Sequence, residues 1–424
     1  MKNIKRLIII DPGFSIQGHH YSTFINIGSE CAKRNIECII FSQRNIACNC
    51  TLEYKISGVE TAHLYPVMTE VIYSQMSYNN KFEFFLIYSD IFADELESHI
   101  TPYLDNDVRI LCHTANAVVI YAVYKWFMRS RKNMPSIVLN IQHSFDDNEE
   151  DFMQYRAALS KIFDCKSVKI YGSNVPLCRK IAAASGRPVR ILPLPLRLPP
   201  IVKRNDNPIP VFCIAGEVRE EKNLQIIPDA VRLYFAAGGR GRFTIQLQPT
   251  KQVCKLAQHN LPLLRDAFPN KIELFIGPLY GDDYYRHIAC SDAVLLPYAA
   301  HVYRNRISQV ALEAAALGVS CITTRYSSME EELERLDNGS VFMEQSDPEA
   351  LAGAMLNFEQ NLADNRAKAA AAGEVCRAFH NADTYFAVAA DAETVRFPDY
   401  ACLNPPAGGH FPHNPPVPAQ KCAS

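Results

Sequence analysis

The sequence predicts an α/β protein of two domains, each a mostly parallel sheet covered by helices. Three observations predict it. Short apolar runs of strand length alternate with helix-length amphipathic stretches along most of the chain, a rhythm that belongs to strands joined by helical crossovers. The length, 424 residues, exceeds what one hydrophobic core serves. A proline-rich stretch, SGRPVRILPLPLRLPPIVKRNDNPIP, then divides the chain and is too rich in proline for regular structure. The partition is a first domain over 1–195, a linker over 196–210, a second domain over 211–394 and a Pro/Gly-rich tail over 395–424. That tail has little to bury and is expected to be disordered.

Composition sets the outer bounds. Lys plus Arg number 43 against 45 acids, a net charge of -2 that leaves no basic footprint for nucleic acid. The 14 cysteines are scattered, and no C-x-x-C has a matching partner for zinc, so free buried thiols in a reducing cytoplasm are the simplest account. The opening MKNIKRLIIIDPG holds an apolar run too short for a signal peptide or a spanning helix, and no later run reaches membrane length. The expected location is cytoplasmic, with any membrane contact peripheral and at the inner face.

In the first domain, residues 7–10 read as a buried strand that breaks at Asp11-Pro12-Gly13, and 21–34 has helical periodicity through Phe24, Ile27 and Cys31. Gly13 and Gly18 between them are not spaced as G-x-G-x-x-G. The second strand, 38–41, ends in Ser-Gln-Arg rather than the acid that holds an NAD ribose, which argues against a dinucleotide site. Apolar runs at 82–88, 108–112 and 137–141 alternate with helix-like stretches at 93–100 and 115–131. Two runs end in histidine, His113 after RILC and His143 after VLNIQ, and strand carboxyl ends are where open α/β sheets place ligands. His19 and His20 open the first helix. By residue type alone, His19 and His20 read more readily as helix-start residues than as ligands, and a buried, hydrogen-bonded histidine is a common outcome for His113 and His143. The segment YKWFMRSRKNM joins Trp126 to four bases, which fits either an anionic membrane surface or a helix with Trp126 and Phe127 buried and its bases solvated.

The second domain opens with PVFCIAGEVREEKNLQIIPDAV, a strand ending at Gly216 and then a helix, with Arg219 and Lys222 between them. Two cations there can neutralise a diphosphate, or they can pair with the acids of a solvated EVREEK turn. Further strands read at 243–248 and 272–276. The stretch DAVLLPYAAHVYRNRISQVALEAAALGVSCITT, 292–324, is a strand, a loop, a helix and a strand. Ser308 caps that helix, whose free N–H groups and positive dipole end form an anion site beyond the strand's carboxyl end. Glu313 shares its helix face only with Gln309, and spacing alone allows the pair to be the wet stripe of an amphipathic helix. Closing helices read at 350–358 and 365–392, the second able to cross back to the first domain.

The LPY, polar loop and E-A-x-A-x-G of this stretch, with G-x-x-R-x-x-K at Gly216 to Lys222, resemble the donor segment of the retaining glycosyltransferases of the group 1, or family 4, type. The resemblance is specific over 211–345 and looser over 1–195. It implies the GT-B fold, two facing Rossmann-like domains with a cleft between them. It also implies transfer, with retention, of a hexose-type sugar from a nucleotide-diphosphate sugar to a glycan, lipid-linked or small-molecule acceptor, as in polysaccharide biosynthesis, with no metal or other cofactor. Carried over residue by residue, Glu313 holds the donor ribose, while Arg219, Lys222 and the helix start at Ser308 meet the leaving diphosphate. Gly18 and Gly216 let backbone approach the donor, His113 reaches the sugar, and His19, His20 and His143 are acceptor-side candidates. Asn305 stands where the family often has a second Glu on the transferred sugar, and Ser308-Gln309 where it often has Gly. These departures keep two alternatives: a non-catalytic sugar-nucleotide-binding partner subunit, and a nucleotide-sugar epimerase of similar architecture. A metal-dependent single-domain transferase is disfavoured, because Asp105-Asn106-Asp107 precedes an apolar strand rather than following one.

Overall fold

The computed structural model describes residues 4–13, 19–43, 54–55, 62–69, 81–130, 134–142, 149–199, 208–216, 219–247, 259–279, 281–390 and 396–404. They fall into two compact units, one running to Arg197 and resuming at His380, the other spanning Leu198–Phe379.

The first unit contains β1 (Arg6–Asp11), α1 (His19–Lys33), β2 (Glu37–Gln43), β3 (Tyr54–Lys55), β4 (Ala62–Met68), α2 (Lys81–Glu95), β5 (Val108–Ala115) and α3 (Ala117–Ser130). It continues through β6 (Ser136–Ile141), α4 (Glu149–Ile162), β7 (Val168–Gly172), α5 (Val175–Ser185) and β8 (Val189–Ile191). The strands lie in the order β8-β7-β6-β5-β1-β2-β4-β3, parallel except for β3. β1 is buried on both faces, which is why it reads as an unbroken apolar run. The face of Leu7, Ile9, Cys38 and Ile40 packs on Phe24, Ile27 and Cys31 of α1.

Residues 82–88 are not a separate strand-like run: they are the first half of α2. Phe85 and Phe92 are buried at helical spacing, but Phe84, Ile87 and Ile91 stay exposed on the other side and Phe82 stays exposed in the first turn, so the 3.6-residue period is hidden in the composition. In α3 Trp126 is fully buried and its indole N–H donates to Thr101 Oγ1 at 3.0 Å. Lys125 and Arg129 pair with Asp90 and Asp94 of α2 at 2.8 and 2.5 Å. No helix among the described residues is long and apolar enough to cross a membrane.

The second unit contains β9 (Val211–Ile214), α6 (Ile227–Ala236), β10 (Arg242–Leu247), α7 (Leu261–Ala267), β11 (Ile272–Ile276), α8 (Gly281–Ala289), β12 (Ala293–Leu296) and α9 (Ala300–Tyr303). It goes on through α10 (Gln309–Ala316), β13 (Ser320–Thr324), α11 (Ser328–Leu336), β14 (Val341–Met343), α12 (Pro348–Gln360) and α13 (Leu362–Phe379). Its six strands lie β11-β10-β9-β12-β13-β14, all parallel. Chain order therefore reverses between β9 and β12, and the crevice outside the carboxyl ends at such a reversal is where doubly wound sheets bind ligands. An aromatic cluster of Phe212, Tyr234, Phe243 and Phe358 fills the core. At the opposite strand ends Asp292 accepts from Val211 N at 2.8 Å and from Arg366 of α13 at 2.8 and 2.9 Å.

The helix expected over 365–392 is broken. α13 ends at Phe379, Asn381 caps α14 (Ala382–Ala389) by accepting from Thr384 N at 2.8 Å, and α14 packs on α1 in the first unit. Residues 380–390 thus cross back to the first unit, as expected of the closing helix, and lie outside the second domain, although the sequence sets the bounds of that domain at 211–394. The tail is also corrected in part. Within 396–404, β15 (Cys402–Leu403) pairs antiparallel with β8, Phe397 stacks on Tyr171, and Ala401 and Leu403 are buried. A chain ended after Arg396 is therefore expected to melt several degrees below one ended after Asn404, since it loses a strand and three apolar side chains from the sheet edge. Equal melting temperatures would show that this edge carries no stability.

Candidate functional site

The loops at the reversal in the second unit are held by their own side chains. Leaving β9, the chain turns at Gly216 with φ +104°, a value that favours glycine. A Cβ there would lie 3.5 Å from Lys222 Nζ and 4.0 Å from Val310 Cγ2, so this turn, Lys222 and the first turn of α10 converge. Lys222 ends the short 3-10 turn Glu220–Lys222 and is 8% exposed, with Nζ 5.6 Å from the centre of the Tyr298 ring. Burial holds the Tyr298 phenol well above its ordinary range, and the positive charge of Arg219, exposed at the start of that turn, opposes the shift.

The loop after β12 is pinned on its other side. Ala299 N donates to Glu221 O at 2.9 Å, Thr324 Oγ1 to Tyr298 O at 2.7 Å, and Ser346 Oγ to Pro297 O at 2.5 Å. Asn223, in the left-handed region, donates to Ser346 and completes the brace. Asn305 and Ser308 are buried in the same loop, and Ser308 Oγ accepts from Ala311 N at 3.4 Å, a long cap.

Glu313 is 3% exposed. Tyr284 of α8 donates to its Oε2 and Gln309 to its Oε1, each at 2.8 Å. Burial pushes the carboxyl up to about 7, against the hydrogen bonds from Tyr284, Gln309 and Tyr285 that favour the charge. Burial, then the neighbouring carboxylate, raises Tyr284 well above the ordinary phenol range. His287, one turn further along α8, donates from Nε2 to Ile214 O at 3.1 Å and ties this helix to the end of β9.

These features sit in a recognisable segment: residues 209–361 match the family described as glycosyl transferases group 1. They form a glycosyl transferases group 1 domain. Comparison with curated proteins gives no significant match. Among solved structures the whole chain is similar to a sucrose-phosphate synthase from Thermosynechococcus elongatus, at 13% identity over 90% of this chain and 96% of that one, TM-score 0.58. It is similar as well to a UDP-forming α,α-trehalose-phosphate synthase from Burkholderia xenovorans, at 11% identity over 93% and 100%, TM-score 0.60. An α,α-trehalose-phosphate synthase from the same organism, in complex with glucose-6-phosphate, matches at 13% identity over 90% and 98%, TM-score 0.56. At such identities the likeness shows the fold, which is GT-B.

Of the residues singled out from sequence, the group 1 domain gathers Gly216, Arg219, Lys222, Asn305, Ser308 and Glu313 around one strand reversal. His113 belongs to the first unit, in the carboxyl half of β5 beside that sheet's own reversal between β1 and β5. Gln142 Nε2 lies 3.0 Å from its ring Nε2 and 3.1 Å from its carbonyl oxygen. Because an amide nitrogen donates, His113 Nε2 accepts, and Nδ1 carries the proton that goes to Tyr385 Oη at 2.8 Å. Gly18 and His143 lie outside the described residues, and His19 and His20 are described only as the backbone start of α1. Sequence reasoning missed Tyr284, whose partner is far along the chain, and Gln246, which reads as one more strand residue. GDDYYRH offered a weak signal, with Tyr284 and His287 spaced to share one helix face.

Proposed function

We propose that the protein transfers a hexose-type sugar from a UDP-sugar to a small sugar or sugar-phosphate acceptor, with retention of configuration and without a metal ion. The observation that carries this reading is the convergence of Gly216, Lys222 and the amino end of α10 at the strand reversal, with Glu313 one turn further along the helix. Such a place suits a nucleoside diphosphate: phosphates against Lys222, Arg219 and the helix N–H groups, ribose hydroxyls against the carboxylate. UDP and the sugar-phosphate acceptor are adopted from the similar synthases. In the reaction the bond from the sugar's anomeric carbon to the phosphate oxygen breaks, and its electron pair stays with the diphosphate. The acceptor oxygen bonds to the same face of that carbon and its proton passes to the leaving phosphate oxygen. Lys222 and Arg219 stabilise the charge that develops there.

His113 serves the sugar side in this scheme. In the complex a sugar hydroxyl replaces Gln142 at the ring Nε2, so His113→Ala removes one hydrogen bond to the sugar and is expected to lower turnover about tenfold, the worth of that bond at ~1.4 kcal/mol. UDP affinity should stay constant, because the groups proposed to hold UDP are all in the other unit. A variant that loses UDP binding instead would remove His113 from the sugar.

The function is tested with a panel of UDP-, GDP- and ADP-sugars, each with glucose-6-phosphate as acceptor, in EDTA, reading nucleotide release and the anomeric configuration of the product by proton NMR. Release of UDP with an α-linked product from an α-linked donor is expected. Binding without release would favour the partner-subunit reading, and interconversion of donors without release would favour the epimerase.

A further inference from the structure

Gln246 lies near the carboxyl end of β10, between β9 and β11, and is 2% exposed. Its side-chain carbonyl accepts from Gly216 N at 2.7 Å, and its amide nitrogen donates to Gly277 O at 2.6 Å. A backbone N–H only donates and a carbonyl only accepts, so the two partners fix the amide's orientation. Both glycines have positive φ, +104° and +138°, and one amide thus bridges the turns that leave the two strands flanking β10. The turn it holds on the β9 side is the one whose Cβ position is 3.5 Å from Lys222 Nζ. Without Gln246, the Gly216 N–H and the Gly277 carbonyl would each need another partner, and the turn would be free to rotate toward one.

Resting on the phosphate site proposed above, we infer that Gln246 is a positioning residue for the transfer step. It fixes the Gly216 turn, and through that turn the place of the Lys222 ammonium against the departing diphosphate. It touches neither substrate nor reacting atoms. Its effect is on turnover, because a cation displaced by about 1 Å loses charge stabilisation on the order of 10²-fold while still attracting the nucleotide.

The test compares wild type, Gln246→Leu, Gln246→Glu, Lys222→Ala and the double variant Gln246→Leu, Lys222→Ala. UDP-glucose hydrolysis is measured per folded molecule, well below each melting temperature. Gln246→Leu matches the shape and removes both bonds, and is expected to lower kcat on the order of 10²-fold with KM changed by less than about threefold. Gln246→Glu keeps the acceptor for Gly216 and should fall between Leu and wild type, which also serves if the Leu variant does not fold. The double variant should be no slower than Lys222→Ala, since the glutamine acts only through that lysine. A purely structural glutamine would lower the melting temperature and leave kcat unchanged, which would overturn the inference, as would losses that multiply in the double variant. Lys222→Ala turning over normally would overturn the phosphate site and this inference together, whereas normal Gln246→Leu beside slow Lys222→Ala overturns this inference alone.

Discussion

Lys222→Ala is expected to slow UDP-sugar turnover on the order of 10²-fold or more while weakening UDP binding far less. The ammonium is nearly buried, backed by the Tyr298 ring and confined by the Gly216 turn, so it has little freedom to relax away from a developing charge. A preorganised cation in a water-poor site contributes most when the sugar–phosphate bond is breaking, because the leaving oxygen gains charge that the ground state lacks. Arg219, more exposed and at the start of the same turn, should show the same pattern with a smaller loss. Turnover by the wild type should persist in EDTA, and Mg²⁺ should not rescue either variant. A wild type that needs a divalent ion, or an Arg219→Ala, Lys222→Ala double variant with normal turnover, would reopen the metal-dependent and binding-only readings.

Glu313→Gln should move stability and binding in opposite directions. Burial places the folded carboxyl at about 7, above its unfolded value near 4.5. The folded state therefore binds more protons across that window, so the cost of holding this group is absent below about pH 4.5 and grows as pH rises through 7. Glutamine has no such cost and can still accept from Tyr284, so the variant should melt higher than wild type at pH 8. Ribose hydroxyls, however, lose a charged acceptor worth about 1.5 to 3 kcal/mol, roughly ten- to a hundred-fold in UDP affinity. Only the ionised carboxylate offers that acceptor in full. Wild-type affinity for UDP should thus gain more than the variant's between pH 6 and 8, and parallel pH profiles by calorimetry would refute the ribose assignment.

The parts of this site that the sequence reveals are local in the chain. Gly216 and Lys222 fall in one turn, Ser308 and Glu313 on one helix, and each spacing carries its own geometry. The bonds that set their chemistry are not local: Tyr284 reaches Glu313 from α8, and Gln246 reaches two loops from β10. Helix spacing pairs Tyr284 with His287 but does not point to Glu313, and nothing in the strand pattern sets Gln246 apart. The strand–helix rhythm exposed the parallel sheets of both units, because strands buried on two faces leave unbroken apolar runs. It failed at α2, where apolar residues on the exposed face erase the helical period, and at 380–404. There α14 packs on α1 and β15 pairs with β8, contacts with residues far earlier in the chain that no local pattern marks.

Hydrogen–deuterium exchange with and without saturating UDP locates the nucleotide without relying on turnover or on an identified acceptor. Slowed exchange is predicted in peptides covering 214–223 and 297–316, the two loops at the reversal of the second unit's sheet, with β5 and its His113 unchanged. UDP that binds by calorimetry yet leaves both loops exchanging at their free rates would contradict the account.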